Sequence, residues 1–381
     1  MSSIPILFIG LIKLMRSPGG PPLRRLTAPA AALTLALLGA ACSSSSSSST
    51  ATTAAGAPAT TAAPSGATVT LHLGYFPNLT HATALVGVHE GIFAKALGPN
   101  VKLATATFNA GPAEVTALFA GALDAAYLGP NSAINAFTQS GGAAIVVVSG
   151  ATSGGAELVV KASITSAAQL KGAKLATPQL GNTQDVALRT WLAQQGYKTD
   201  TTGGGDVSVI PQANSTAVTA FQTGAIDGGW LPEPYATQLV QAGGHVLVDE
   251  RTLWPGGRFA TTVLAVRKQF LKDHPDTVKA LLEGQVQAND FVNSKPQQAQ
   301  ADAAAEIAAI SGKAPSTKVV TAAWPELTFT DDPVASSIQT AADHALAAGT
   351  ITKKVNLAGL VDVTVLNEVL SAAGEAPVPT S

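Results

Sequence analysis

Apolar and polar positions from about residue 68 onward follow two alternating patterns. Short apolar runs end in polar loops, and each loop leads into a stretch whose apolar residues recur every three or four positions. Leu188 and Leu192 show this helical spacing. Asn182 or Thr183 is suited to cap that helix, and Gly196 to end it. Alternating strands and helices predict an α/β fold with two mostly parallel sheets flanked by helices.

One order of elements occurs twice along the chain: strand, loop, helix, strand, helix, strand. The segment AGALDAAYL (residues 120–128) matches TGAIDGGWL (residues 223–231), and each contains Gly-Ala, Leu or Ile, Asp, two small residues, an aromatic residue and Leu. An asparagine precedes the helix before each copy, Asn109 in the first and Asn214 in the second, and both are suited to an N-cap. The repeat predicts two lobes of similar architecture.

The path of the chain predicts a hinged cleft between these lobes. After the second copy, the sequence continues as one more strand, a strongly periodic helix and further helical segments. A chain that builds one lobe, crosses to the second and returns joins them by two crossings, which form a hinge. We therefore assign residues 68–155 and 246–381 to lobe 1 and residues 156–245 to lobe 2.

The N-terminal segment predicts export. Two arginines precede an apolar run over residues 28–38, and small residues stand directly before Cys42, the only cysteine. This order resembles a bacterial lipoprotein signal, so residues 1–41 are predicted as the export signal, with Met15 as an alternative start, and Cys42 as the lipidated residue. Residues 42–67 contain, besides this cysteine, only Ser, Thr, Ala, Pro and Gly and predict a disordered tether. We expect a domain anchored by lipid to the outer face of the cell membrane.

Composition and motifs exclude several classes of function. The net charge is −2 over 381 residues, so there is no basic surface for nucleic acid. The sequence has no Ser/His/Asp elbow, phosphate-binding P-loop or CxxC pair, and Glu233 has no acidic partner in the other loops, which argues against an enzyme. His72 and His89 have no usual metal-ligand spacing with His81, so neither a metal nor another cofactor is expected.

The loops that follow the strands carry the candidate binding residues. In open α/β sheets, ligands bind beyond the carboxyl ends of the strands. These loops are rich in Asn, Ser, Thr and Gly and poor in Lys and Arg, and several stand where a helix begins. A helix N-terminus can hold a small anion without a formal cation, although the same residues also suit a role as helix caps alone.

Three segments resemble the solute-binding lipoproteins of nitrate/sulfonate/taurine-type ABC importers: GYFPNLTHATALVGVHEGIFAKALG, GALDAAYLGPNSAINAF and WLPEPYAT. The last contains a corner that looks like the W-x-P-E-P-W/Y signature of that family. The resemblance implies the type II periplasmic-binding fold, a monomer that closes on a small-molecule ligand and delivers it to membrane permease subunits. The ligand-binding positions of the family correspond here to Asn78, Thr80, His81, Asn131, Ser132, Thr152, Ser153, Asn182, Thr183, Trp230, Glu233 and Tyr235.

The ligand that the resemblance implies is a small anionic organic solute. Tyr75, Phe76, Trp230 and Tyr235 favour an organic molecule, with an alkanesulfonate first. Nitrate-binding members use a lysine, and these loops carry no matching one, which argues against nitrate or bicarbonate. The segment YFPNLTHA also resembles binding proteins for thiamine-pyrimidine precursors, so a heteroaromatic ligand is the alternative. An intracellular pyrimidine synthase shares this fold, but its cysteine-rich motif has no counterpart in a chain where Cys42 is the single cysteine.

Overall fold

The structure, a computed structural model, describes residues 68–380, so the predicted export signal, Met15, Cys42 and the tether lie outside the described residues. The strands are β1 (Val69–Tyr75), β2 (Val101–Thr107), β3 (Ala125–Leu128), β4 (Ile145–Gly154), β5 (Ala156–Lys161), β6 (Lys174–Thr177), β7 (Ser208–Pro211), β8 (Gly228–Pro232), β9 (Gly244–Asp249), β10 (Ala260–Arg267) and β11 (Leu327–Phe329). The helices are α1 (Ala82–His89), α2 (Ile92–Leu97), α3 (Gly111–Phe119), α4 (Pro130–Gln139), α5 (Thr183–Gln194), α6 (Asn214–Gln222), α7 (Tyr235–Gln241), α8 (Lys268–Asp273), α9 (Pro275–Ser294), α10 (Pro296–Ser311), α11 (Thr317–Ala323), α12 (Ala335–Ala347) and α13 (Thr364–Ala373). Among these helices, none is long and apolar enough to cross a membrane.

The strands form two separate mixed sheets, and the strands at the centre of each sheet are arranged in the same way. The first sheet has the order β11-β4-β10-β3-β1-β2, and the second has the order β7-β6-β8-β5-β9. Strand β1 pairs in parallel with β2 and β3, as β6 does with β7 and β8. In each sheet an antiparallel strand follows: β10 beside β3, and β5 beside β8. The repeated order of elements is confirmed. Four of the six strands in the first sheet and four of the five in the second run in the same direction, so the sheets are mostly parallel as predicted, with β10, β11 and β5 as the exceptions.

The antiparallel strands arise where the chain passes between the two sheets. Strands β4 and β5 meet at Gly154 and Gly155, which have positive φ angles of 76° and 72°. A Cβ added at Gly155 would lie 2.2 Å from a methyl carbon of Leu327, so glycine is required at this crossing. The return crossing begins at Asp249, where β9 ends. Strand direction follows from this tertiary path, which the hydrophobic pattern does not encode.

Apolar side chains cover both faces of each sheet. In the second sheet, the successive residues Leu158 and Val159 of β5 belong to two different cores, because neighbouring side chains of a strand point to opposite faces. Tyr127 and Leu128 of β3 divide in the same way in the first sheet. Helix α12 packs against α4, which follows β3, and against α5, which follows β6. The C-terminal helices therefore contact elements of both repeated units.

The aspartate of each repeat copy fixes the strand beside it. Asp124 Oδ2 accepts a hydrogen bond from the backbone N–H of His72 in β1, at 3.0 Å. Asp227 Oδ2 accepts the equivalent bond from the backbone N–H of Lys174, the first residue of β6, at 2.8 Å. The two copies of the repeat therefore share a specific hydrogen bond as well as a sequence pattern.

Candidate functional site

The loops that follow the parallel strands of both sheets meet in one narrow cavity. The first repeated unit and its loops contribute Phe76, Asn78, Thr80, His81, Asn109 and Gly129. The second contributes Pro178, Asn182, Thr183, Gln184, Asn214 and Pro232. Thr261 and Thr262, at the start of β10, complete the wall. The cavity therefore lies where open α/β sheets bind ligands.

Five of the predicted binding residues lie in this wall: Asn78, Thr80, His81, Asn182 and Thr183. Asn182 is also the N-cap of α5, where its Oδ1 accepts from the backbone N–H of Thr183 at 2.7 Å. The same side chain thus caps a helix and faces the cavity, so these two interpretations are compatible. Contact of these residues with a ligand stays a prediction.

The cavity is polar without being charged. None of the described residues that line it carries a formal charge. Helices α5 and α6 both begin in its wall, at Thr183 and Asn214, and α4 begins one residue after Gly129. The N-terminus of a helix carries a partial positive charge and free N–H groups. The electrostatic setting therefore favours a small anion or the electronegative end of a polar ligand.

His81 is a buried, neutral donor at this cavity. Its Nδ1 accepts a hydrogen bond from the backbone N–H of Phe76 at 3.3 Å, and the two ring centroids lie 4.4 Å apart. Burial lowers the pKa of His81 from 6.5 to about 3. Because Nδ1 is the acceptor, the ring proton resides on Nε2, which can donate to a ligand.

Three side-chain oxygens in the wall are buried without a hydrogen-bond partner among the described residues: Thr183 Oγ1, Asn214 Oδ1 and Thr262 Oγ1. Thr262 is only 1% exposed. Leaving a buried polar group unpaired costs about 1–3 kcal/mol, and most such groups in folded proteins are paired. Their convergence on one cavity indicates a binding site for a polar molecule.

Trp230 does not lie in the cavity wall, contrary to its predicted role. Its side chain is fully buried in a core of the second sheet, where it packs edge-to-face on Trp191 with ring centroids 6.1 Å apart. Its Nε1–H donates to Glu250 Oε2 at 2.7 Å. Side chains two residues apart in a strand share a face, so Trp230 and Pro232 lie on the same side of β8, but only Pro232, the last residue of the strand, reaches the cavity.

Glu233 and Tyr235 form the corner beside the wall and are not part of it. Glu233 is fully buried, and its carboxylate accepts from the backbone N–H and the hydroxyl of Thr237 at 3.1 and 2.8 Å. Its backbone accepts from Leu79 N–H and donates to Gly155 O. Tyr235 packs at the edge of a core. The backbone of Glu233 thus connects the crossing between β4 and β5, at Gly155, to Leu79 in the loop that follows β1.

Four further predicted residues also lie outside the main cavity. Asn131 donates to the backbone carbonyl of Ala341 at 3.2 Å and lines a second, adjoining cavity. Thr152 donates to the carbonyl of Thr80, and Ser153 accepts from a backbone N–H. Ser132 is buried with an unpartnered Oγ. These residues support the wall from behind.

A family model, described as the NMT1-like family, matches residues 65–309, well over half of the chain. The chain belongs to the NMT1-like family. It is 29% identical over 247 residues to a Brucella abortus protein that is named as a binding protein, covering 63% of this chain and 73% of that one. It is also 27% identical over 213 residues to the taurine-binding periplasmic protein of Escherichia coli K12, covering 56% of this chain and 64% of the relative.

Solved structures of periplasmic binding proteins share the fold. The alkanesulfonate-binding protein from Xanthomonas axonopodis pv. citri, bound to MOPS, aligns with a TM-score of 0.64 at 19% identity, covering 77% of this chain and 98% of that one. The nitrate-binding protein from Synechocystis PCC 6803 aligns with a TM-score of 0.68 at 17% identity, covering 80% and 89%. The NMT1-like chain therefore has the two-lobed periplasmic-binding fold that its sequence predicts.

Several wall residues of this NMT1-like protein were not among the predicted binding residues. Asn109 and Asn214 were assigned as helix caps, but the N-caps of α3 and α6 are Ala110 and Ala213, and both asparagines face the cavity. Their equivalent positions in the repeat were the signal that could have identified them. Thr262 gave no such signal, because it lies inside a strand.

Proposed function

We propose that this NMT1-like protein is the extracytoplasmic substrate-binding component of an ABC importer. It captures a small anionic organic solute, an alkanesulfonate in the first instance, between its lobes and delivers it to a membrane permease. The observation that carries the proposal is the cavity itself, where helix N-termini of both repeated units converge with three oxygens that have no partner among the described residues, on Thr183, Asn214 and Thr262.

An alkanesulfonate suits the chemistry of this wall. Its three oxygens accept hydrogen bonds. The hydroxyls of Thr183 and Thr262 are donors without another acceptor among the described residues, and the Nε2–H of His81 is a further donor. Neutral donors and helix N-termini can stabilise the negative charge without the cost of burying a lysine or arginine. The taurine- and alkanesulfonate-binding names among the relatives and neighbours support this ligand class.

Delivery requires lobe movement and a membrane location. We propose that residues 68–155 and 246–381 form lobe 1, that residues 156–245 form lobe 2, and that the two crossings act as the hinge. The protein acts as a monomer, exported and held at the outer face of the membrane by lipid on Cys42. Its function is reversible binding rather than catalysis, in keeping with the binding-protein names of its relatives.

A neutral heteroaromatic ligand is the second candidate, and one observation favours it. The wall has no formal charge, four asparagine side chains line it, and Phe76 presents an aromatic ring. Asparagine amides can form paired hydrogen bonds with the donors and acceptors along the edge of a pyrimidine, and the pyrimidine ring can stack on the ring of Phe76. Phe76 is also the only one of the four aromatic residues considered above that lines this cavity, so the aromatic argument for an organic ligand is narrower than the sequence suggested.

A thermal-shift screen of the full chain tests the proposal. Taurine, longer alkanesulfonates, nitrate and a hydroxymethyl-pyrimidine are added separately, since a ligand at 100 times its dissociation constant stabilises by about 2.7 kcal/mol. We expect stabilisation by a sulfonate, reduced in Thr262→Val and unchanged in Thr321→Val, a matched change on the exposed side of α11. Stabilisation by the pyrimidine alone selects the second candidate, and no response to any compound contradicts both.

A further inference from the structure

A cluster of metal-ligating side chains lies at the end of α1 that is remote from the cavity. His89 is the last residue of α1, Glu90 follows it, and Asp302 lies on α10, which packs against α1. One ring nitrogen of His89 and one carboxylate oxygen each of Glu90 and Asp302 lie within 4.8 Å of one another. Three ligand atoms at this separation can close around a single ion.

Asp302 supplies an independent reason to expect a cation. The residue is only 9% exposed, and its Oδ2 is buried with no hydrogen-bond partner among the described residues. A buried carboxylate oxygen beside a second carboxylate is unfavourable unless a positive charge joins them.

Glu306 completes the environment of His89. It lies one turn beyond Asp302 on the same face of α10, and its Oε2 is 3.5 Å from His89 Nδ1. The hydroxyl of Tyr75, in β1, donates to Glu306 Oε1 at 3.0 Å and so holds this carboxylate in place. A carboxylate that binds the second ring nitrogen of a histidine is the usual means of orienting a metal-binding imidazole.

We propose that His89, Glu90 and Asp302 bind a divalent transition metal ion of the zinc class, with Glu306 as a positioning residue. One imidazole and two carboxylates are ligands that suit zinc, whereas calcium requires six to eight oxygen ligands and magnesium prefers oxygens and water. His89 and Glu90 are exposed, so water completes the coordination. The bound ion joins α1 to α10.

This metal site is separate from the ligand cavity. Helix α1 starts directly after His81 in the cavity wall and ends at His89, and its eight residues span about 12 Å. The ion therefore has no direct role in holding the imported solute. The inference does not depend on the proposed function, and each can fail without the other.

Zinc titration of the full, tag-free chain tests the site, after treatment with a chelator that is then removed. We expect one Zn²⁺ per chain by calorimetry and a higher melting temperature with zinc. Asp302→Asn, which keeps the size of the side chain, and His89→Ala, at an exposed position, should abolish this binding. Glu306→Gln should weaken it by about 10- to 100-fold, the usual effect of losing the carboxylate that orients a ligand. His245→Ala, a histidine outside the cluster, is the matched control and should bind like the wild type.

Three results would overturn the assignment. The first is zinc binding by His89→Ala and Asp302→Asn that equals binding by His245→Ala. The second is a wild-type chain that binds no zinc. The third is calcium binding as tight as zinc binding, which would contradict the metal class because the imidazole would then contribute nothing.

Discussion

The two copies of the strand-exit unit, residues 120–128 and 223–231, share a backbone path but differ in their electrostatic setting. In each copy the aspartate also binds a cation at the end of the neighbouring antiparallel strand, Arg267 for Asp124 and Lys161 for Asp227. The Asp124 side chain is 6% exposed, and that of Asp227 is 23% exposed. The repeat therefore specifies which contacts form, and burial decides how strongly each one stabilises its lobe.

The two copies differ directly after the strand, at the residues that lie at or beside the cavity. In the first, Gly129 lies against the second lobe, since a Cβ added there would be 2.5 Å from Thr183 Oγ1. In the second, Pro232 faces the cavity and Glu233 is buried beside the crossing. One loop permits a close approach to the start of α5, and the other connects the crossing between β4 and β5 to the cavity. The residues that the two copies share therefore maintain the fold, whereas the residues that differ directly after them lie at or beside the candidate site.

The largest expected effect concerns the aromatic residue of the second copy. Trp230→Ala should lower the free energy of unfolding by about 3–5 kcal/mol, because it removes a large buried side chain and one of the two indole N–H groups that donate to Glu250. Under conditions where the chain is folded, ligand affinity should change little. Urea unfolding and calorimetric titration measure the two quantities. A large loss of affinity at unchanged stability would show that Trp230 contacts the ligand after all.

Local features of the sequence predicted the order of strands and helices better than they predicted the residues of the candidate site. The cap at Asn182 and the order of strands and helices depend on residues close in sequence, and both were predicted. Trp230 lies in a core and not in the cavity wall, because a position near the end of a strand does not reveal whether its side chain enters the core or the cleft. Its equivalent in the first copy, Tyr127, is also buried and donates to Gln285, so comparing the copies would have predicted a core role. Thr262 reaches the cavity through sheet pairing, which no local pattern reports.

A loss of stability as the pH rises to neutral should follow from the buried carboxyl group of Glu233, which comes directly after the strand of the second copy and has no counterpart after the strand of the first. Burial raises the pKa of Glu233 from 4.5 to about 7, Thr237 opposes the shift, and the charge of Glu326 adds to it. The folded state thus binds this proton more tightly than the unfolded state. The resulting stabilisation is complete below about pH 4.5 and is lost as the pH rises through 7.

Glu233→Gln should remove this dependence and make the protein more stable than the wild type at pH 8, by about 3 kcal/mol at most. Urea unfolding from pH 4.5 to 8.5 measures the difference, with Glu368→Gln on the exposed side of α13 as control. Nearby Glu157, whose pKa burial and then Glu233 raise to about 8, should retain part of the slope. Parallel pH profiles for the wild type and Glu233→Gln would contradict the assignment.

A smaller effect should distinguish the two aspartates. Asp124→Asn should cost about 1.5–3 kcal/mol, the range for buried hydrogen bonds to a charged group, whereas Asp227→Asn should cost about 0–1 kcal/mol because its partner Lys161 is half exposed. Burial acts to raise the pKa of Asp124, but hydrogen bonds from Arg267 and His72 lower it overall, so its contribution is lost as the pH falls below about 4. Equal losses for the two variants would show that burial does not set the difference between the copies.

The smallest effect concerns the paired asparagines of the cavity. Asn214 is 5% exposed with an unpartnered Oδ1, whereas Asn109 is exposed at the rim. A hydrogen bond to a ligand is worth more where water is excluded, so Asn214→Ala should weaken binding about tenfold, or about 1.4 kcal/mol, and Asn109→Ala by less. Calorimetry with the ligand found in the screen measures both. If Asn109→Ala costs more, the ligand lies at the rim, and the unpartnered oxygens of the inner wall are satisfied by water instead.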